Sequence, residues 1–236
     1  MLDPRNSLIV ALDVPTVDDA RRLVRRLDHS CSFYKVGLEL VMSGGIGFVE
    51  ELRREGNKVF LDMKLLDISN TVERATANAA ALGATFLTVH GHDLKTLRAA
   101  EAGRAGSALK LLAVTVLTNL TREDLRQQRV DSDPSELVLH RARMAQDAGF
   151  DGVVASGHEA RSIREELGQN LIIVTPGIRL AGGVAGDQER TMTPERAIAA
   201  GANFLVVGRP IIEASDPKVA ADEVTEQIRR AAESLF

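Results

Sequence analysis

The chain has 236 residues, 44% of them hydrophobic and 26% charged, which fits one large or two small globular domains and excludes a disordered or fibrous chain. Its 29 basic and 33 acidic side chains leave a net charge of -4 with no long run of one sign, which excludes an extended nucleic-acid or membrane-surface patch. Cys31 is the single cysteine, so neither an intrachain disulfide nor a cysteine-rich metal site can form; no apolar run reaches the roughly 20 residues of a membrane helix, the opening Met-Leu-Asp-Pro-Arg lacks a signal-peptide pattern, and a cytoplasmic location is expected.

Short apolar runs alternate with longer amphipathic stretches. The first strand is expected at 8–12 and the first helix at 16–27. That helix opens on Thr16 as N-cap, carries Asp18 and Asp19 in its first turn, and aligns Val17, Ala20, Leu23, Val24 and Leu27 on one face. Further strand and helix pairs follow at 33–36 and 48–54, 58–62 and 72–82, 85–89 and 94–102, 109–116 and 134–148, 152–155 and 159–167, 171–174 and 194–200, and 204–207 and 218–232. The Val, Ile and Leu content of the strand runs suits parallel strands covered on both faces. Gly56, Gly83, Gly103, Gly149, Gly168 and Gly201 stand where helices end, the place of a left-handed cap. Eight such units, each near the roughly 30 residues a crossover unit needs, predict an α/β protein: a single (β/α)8 TIM barrel domain over 1–236. The other arrangement of such units is a doubly wound open sheet. It usually shows Gly-x-Gly-x-x-Gly after its first strand, where this chain has Asp13-Val14-Pro15.

In such a barrel the chemistry sits at the C-terminal ends of the strands. Those ends carry Asp13, Lys35, Asp62-Met63-Lys64 followed by Asp67, His90, Thr118, Ser156, Thr175-Pro176-Gly177-Ile178-Arg179, and Gly208-Arg209-Pro210. The strand period of two places Phe60, Asp62 and Lys64 on the face towards the axis, and Val59, Leu61 and Met63 under the helices. An ion pair there could merely hold the barrel mouth, yet buried pairs are costly to desolvate and weak sources of stability. Four or five charges converging on one mouth point to function. Gly177, Gly182, Gly183 and Gly186 would let backbone N–H groups approach an anion, and Gly208-Arg209 adds a guanidinium; on glycine content alone a plain loop with a surface arginine serves equally well. His90 either lines the site or satisfies a backbone carbonyl. His29, His92, His140 and His158 have no metal-ligand spacing. Cys31 reads as packing, and Glu136, Arg141, Arg143 and Asp147 as a solvated helix face.

A set of motifs, in order and spread over nearly the whole chain, resembles the bacterial orotidine 5'-phosphate decarboxylases. They are Ala11-Leu12-Asp13, Lys35-Val36-Gly37, the run from Phe60 to Thr71 with its Asp62-x-Lys64-x-x-Asp67, Val114-Thr115-Val116-Leu117-Thr118, Val174-Thr175-Pro176-Gly177-Ile178-Arg179, Gly186-Asp187-Gln188 and Val207-Gly208-Arg209-Pro210-Ile211. Leu66 and Ser69 depart from the histidine and proline that many relatives carry there; neither is a charged position. The resemblance implies conversion of orotidine 5'-monophosphate to uridine 5'-monophosphate and carbon dioxide, with no metal and no organic cofactor. It implies Lys64 as proton donor to C6 and a catalytic array of Lys35, Asp62, Lys64 and Asp67. It also implies a homodimer in which Asp67 and Thr71 reach the partner's site. Asp13 and Lys35 would bind ribose hydroxyls, Thr118 the pyrimidine, and Arg179, Gln188, Gly208 and Arg209 the phosphate, with Asp62, Thr71 and Pro176 also in the substrate-binding set.

Two other readings of these residues stay open. Sugar-phosphate decarboxylases and lyases that resemble this family share Asp-x-Lys-x-x-Asp but hold magnesium partly through an acidic residue on the second strand, where this chain has Lys35. A non-catalytic sensor of phosphate ligands would need Arg209 and the glycines but not Lys64. A nucleic-acid partner is disfavoured by the net charge and by an aromatic content of 3%.

Overall fold

Thr16 caps the first helix as its sequence predicts, its hydroxyl oxygen accepting the Asp19 backbone N–H at 3.1 Å. In the computed structural model, which describes residues 4–180 and 191–234, the alternation of strand and helix becomes a closed barrel. Its strands are β1 (Leu8–Ala11), β2 (Phe33–Gly37), β3 (Lys58–Leu65), β4 (Phe86–His90), β5 (Lys110–Val114), β6 (Gly152–Val154), β7 (Ile172–Thr175) and β8 (Phe204–Val207). Each pairs in parallel with the next, and β8 returns to β1 through Leu8, Ile9 and Val10 against Leu205, Val206 and Val207.

Among the described residues the helices are α1 (Val17–Leu27), α2 (Leu38–Met42), α3 (Gly45–Arg54), α4 (Ser69–Ala81), α5 (Leu94–Gly103), α6 (Arg122–Gln127), α7 (Pro134–Asp147), α8 (Gly157–Leu167), α9 (Pro194–Ala199), α10 (Arg209–Ile212) and α11 (Pro217–Glu233). All eight expected helices form, with ends shifted by up to three residues. The short helices α2, α6 and α10 were not expected, because four to six residues leave too little length for a 3.6-residue period to show. Of these, α6 carried a local signal: Thr121 and Asp124 form a reciprocal capping box. Gly103 departs from its expected role as a left-handed cap. It ends α5 against α4, where an added Cβ would lie 2.1 Å from the Glu73 carbonyl oxygen. Among the described residues, no helix is long and apolar enough to cross a membrane.

The core has two parts. The larger lies between strands and helices; the smaller fills the barrel with Ile9, Ala11, Phe33, Phe60, Phe86, Leu112, Val174 and Val206. Phe33, Phe86 and Phe204 meet with ring centroids 5.1–5.9 Å apart, and Phe60 lies 5.9 Å from Phe86, mostly edge to face. These rings close the barrel below the level at which its polar residues begin.

Strand β3 runs three residues beyond its expected end, and its pairing with β4 slips there. Phe60 and Leu61 face Phe86 and Leu87, and the next matched pair is Leu65 with Val89. Three residues of β3, Asp62 to Lys64, thus stand opposite Thr88 alone. Lys64 takes φ of +49° within this bulge, a left-handed conformation that costs a non-glycine residue roughly 1–2 kcal/mol.

Candidate active site

Above the phenylalanine plug the barrel opens into a cavity of about 700 Å³, within the range of small-molecule sites. Asp13, Lys35, Asp62, Lys64, Thr118, Pro176, Arg179, Gly208 and Arg209 all line it. Nine of the positions singled out in sequence thus come together from six strand ends. Gln188 lies outside the described residues, as do Gly182, Gly183 and Gly186. Asp67 and Thr71 do not line the cavity. They are exposed on the turn after β3 and in the first turn of α4, where the Asp67 carboxylate accepts the Ile68 N–H at 2.6 Å.

The four charges at the bottom of the cavity alternate in sign. Lys35 Nζ donates to Asp13 Oδ1 at 2.7 Å and lies 3.5 Å from Asp62 Oδ2; Lys64 Nζ is 2.8 Å from Asp62 Oδ1. Burial works against the Lys35 ammonium, but the charges of Asp62 and Asp13 outweigh it and hold its pKa above the ordinary lysine value. Burial likewise opposes the Asp62 carboxylate, yet Lys35 and Lys64, with a hydrogen bond from Thr88, hold its pKa below the usual range. Gly37 makes the first of these pairs possible: a Cβ there would sit 2.7 Å from Lys35 Nζ and 3.1 Å from Asp13 Oδ1.

Two arginines, after the ends of β7 and β8, also line the cavity. Arg209 begins α10 directly after Gly208. Arg179 is held by backbone pairing across the loop: its N–H donates to the Met192 carbonyl at 3.0 Å, and the Met192 N–H donates to the Gly177 carbonyl at 3.2 Å. The Arg179 guanidinium also donates to the Ile178 carbonyl at 2.8 Å. Gly208 has room around it, since a Cβ would meet only Ala11 Cβ at 3.6 Å.

Thr88 was not anticipated, and His90 and Arg141 differ from what was expected of them. Thr88, fully buried, bonds both Asp62 and the Lys64 backbone; the available signal was a polar residue midway between Phe86 and His90 on the inward face of β4. His90 does not satisfy a backbone carbonyl through Nδ1, which has no hydrogen-bond partner. Its ring stacks on His92 at 4.7 Å, and burial, His92, Lys64 and Arg141 push its pKa down to about 4. Arg141 is not fully solvated, since its guanidinium donates to the Thr115 carbonyl at 2.5 Å. Cys31 packs as expected, and burial pushes its thiol up to about 11.

Comparison with known proteins shows the family and the fold. The family model for the orotidine 5'-phosphate decarboxylase / HUMPS family matches residues 6–224. The orotidine 5'-phosphate decarboxylase of Afipia carboxidovorans is 51% identical over 226 residues, 96% of each chain. That of Rhodopseudomonas palustris strain BisA53 is 51% identical over 231 residues, 97% of this chain and 98% of the relative. Among solved structures, orotidine 5'-phosphate decarboxylase from Lactobacillus acidophilus superposes with a TM-score of 0.83 at 38% identity, covering 94% of this chain and 98% of the other. An uncharacterized conserved protein from Geobacillus kaustophilus superposes with a TM-score of 0.81 at 32% identity, covering 94% and 99%.

Proposed function

The chain belongs to the orotidine 5'-phosphate decarboxylase / HUMPS family, and from that premise we propose how its own residues carry the reaction. The activity is decarboxylation of orotidine 5'-monophosphate to uridine 5'-monophosphate and carbon dioxide, a carboxy-lyase step of pyrimidine synthesis. The observation that carries the mechanism is the Lys64 ammonium, lining the cavity and held at 2.8 Å by Asp62.

When the bond from C6 to the carboxylate breaks, its electron pair stays on C6 in the plane of the ring, where no π system delocalises it. A fixed ammonium beside C6 stabilises that charge, and preorganised charge of this kind is usually the largest catalytic contribution. Lys64 then gives its proton to C6, forming the product, and regains one from solvent. Asp62 directs the ammonium, Lys35 keeps Asp62 charged, and Lys35 and Asp13 meet the ribose hydroxyls. Thr118 and Pro176 flank the pyrimidine. Arg179, Arg209, Gln188 and the Gly208 backbone bind the phosphate. Its distance from C6 lets phosphate binding energy organise the charges rather than only tighten the complex.

Asp67 and Thr71 complete the site of a second copy in a homodimer. Two features support this reading: both are exposed, and they lie beside Leu66 and Ile68, the latter 72% exposed, with Met42 exposed at 85% on α2. Apolar surface of this kind at a mouth is best covered by a partner, and a two-fold dimer covers it on both copies. The buried free thiol of Cys31 fits a reducing compartment such as the cytoplasm. The magnesium-dependent alternative is disfavoured by Lys35, whose ammonium stands between Asp13 and Asp62, the carboxylates a cation would need.

The test is a spectrophotometric assay with orotidine 5'-monophosphate, with and without EDTA. Equal formation of uridine 5'-monophosphate is expected in both. Activity lost with EDTA would favour the metal-dependent reading, and no activity from folded protein would favour the sensor.

A further inference from the structure

Lys64 is unusual in being held at both ends. Its ammonium contacts Asp62 Oδ1, and its backbone N–H donates to Thr88 Oγ1 at 2.9 Å. The Thr88 hydroxyl in turn donates to the same Asp62 Oδ1 at 2.9 Å. The result is a closed ring: Lys64 N–H to Thr88, Thr88 O–H to Asp62, and Asp62 back to the Lys64 ammonium.

Where the pairing of β3 and β4 slips, Thr88 is the single β4 residue facing Asp62, Met63 and Lys64. The Lys64 N–H therefore lacks its ordinary ladder partner, and an unpaired buried N–H is costly. The Thr88 side chain supplies that partner. A threonine hydroxyl has one proton and two lone pairs, so one group can accept from the strained backbone and donate to the carboxylate. Thr88 is 0% exposed, so water does not compete for either bond. It does not line the cavity, and it acts only through its neighbours.

We propose that Thr88 is a positioning residue for the decarboxylation, one that locks the left-handed backbone of Lys64 to the carboxylate that aims its ammonium. The proposal rests on the reading of Lys64 as the group that meets C6. A bulge residue at φ +49° has no helix or regular ladder to fix its direction, and strain of this kind persists only where the surroundings over-determine it. Without the hydroxyl, Asp62 remains charged beside Lys35 and Lys64, but the Lys64 backbone is free to relax. The ammonium then spends less time at C6 while the phosphate-binding residues are untouched.

The experiment compares Thr88→Val, which keeps the shape and removes the hydroxyl, with Thr88→Ser, which keeps the hydroxyl. The loss of a hydrogen bond to a charged group predicts a fall in kcat of about 10- to 100-fold for Thr88→Val. KM is expected to stay within about threefold, and Thr88→Ser to remain near wild type. Thermal unfolding of each variant establishes that it is folded; if Thr88→Val is not, Thr88→Cys, a weak donor of similar size, takes its place and should fall below Thr88→Ser in kcat. Wild-type kcat in the folded variant lacking the hydroxyl, or an equal fall in Thr88→Ser, overturns the proposal. Lys64→Ala is assayed alongside. If it keeps activity, the reading of Lys64 itself fails; if it is inactive beside an unaffected Thr88→Val, only the role of Thr88 fails.

Discussion

Replacing Lys64 by alanine removes the one charge that the mechanism places against C6. The structure sets the scale: the ammonium meets the Asp62 carboxylate at 2.8 Å, and a carbanion at C6 would be met at a similar distance. Two unit charges at that separation, in an effective dielectric of about 20, interact by about 6 kcal/mol. At 1.36 kcal/mol per decade, this corresponds to roughly 10⁴-fold in rate. Loss of the general acid, typically about 10²–10⁴-fold, overlaps with it and does not simply add. Alanine also leaves Asp62 negative beside the developing carbanion, which deepens the loss. A fall in kcat/KM of at least about 10⁴-fold is therefore expected, followed by the absorbance change of the pyrimidine as its carboxylate is lost. The fold should survive, because Asp62 keeps Lys35 at 3.5 Å and the Thr88 hydroxyl at 2.9 Å. Calorimetric binding of uridine 5'-monophosphate, within about tenfold of wild type, would show an intact site. A folded variant retaining activity within 100-fold of wild type would refute the electrostatic reasoning.

Arg209→Ala should lower kcat/KM by about 10- to 100-fold, the worth of charge-assisted hydrogen bonds, with an unchanged melting temperature; steady-state kinetics with an unchanged kcat/KM would remove Arg209 from the phosphate site. Mixing Lys64→Ala and Asp67→Ala subunits should restore part of the activity, since each heterodimer then holds one complete site, and no recovery after proven subunit exchange would count against Asp67 crossing to the partner. His90 shapes the acid response. The folded chain keeps its imidazole neutral down to about 4, whereas the unfolded chain takes up a proton near the ordinary value of 6.5. Its contribution is thus fully present above pH 6.5 and is lost as pH falls towards about 4. His90→Asn should flatten the fall of melting temperature over that interval, and an identical pH profile would show that burial of His90 is not coupled to stability.

The sequence determined the barrel. Apolar runs of strand length alternating with capped amphipathic stretches are properties of a few neighbouring residues, and eight such units leave few ways to cover both faces of a parallel sheet. Period two was also enough to put Asp62 and Lys64 on the axial face and Val59 and Leu61 beneath the helices. The ends of the strands, read with the Asp62-x-Lys64-x-x-Asp67, Pro176-Gly177-Ile178-Arg179 and Gly208-Arg209 motifs, marked nine residues that the structure brings into one cavity.

Only the tertiary structure decided how those residues act on one another. The bulge at Asp62 to Lys64 is a mismatch between β3 and β4; it exists in the pairing of two strands and has no trace in either alone. Thr88 acquires its two bonds because that mismatch leaves it facing three residues. Gly37 matters because Lys35 and Asp13, from two strands, meet in the space its missing side chain leaves. Which turn stays exposed, so that Asp67, Thr71 and Ile68 face outward, is likewise a property of the folded chain, in which α4 packs against α5. Periodicity reports the direction of a side chain along its own strand, whereas distances between strands come from closing the barrel, which sets their stagger and tilt together; the alternating charges of this site are a product of that closure.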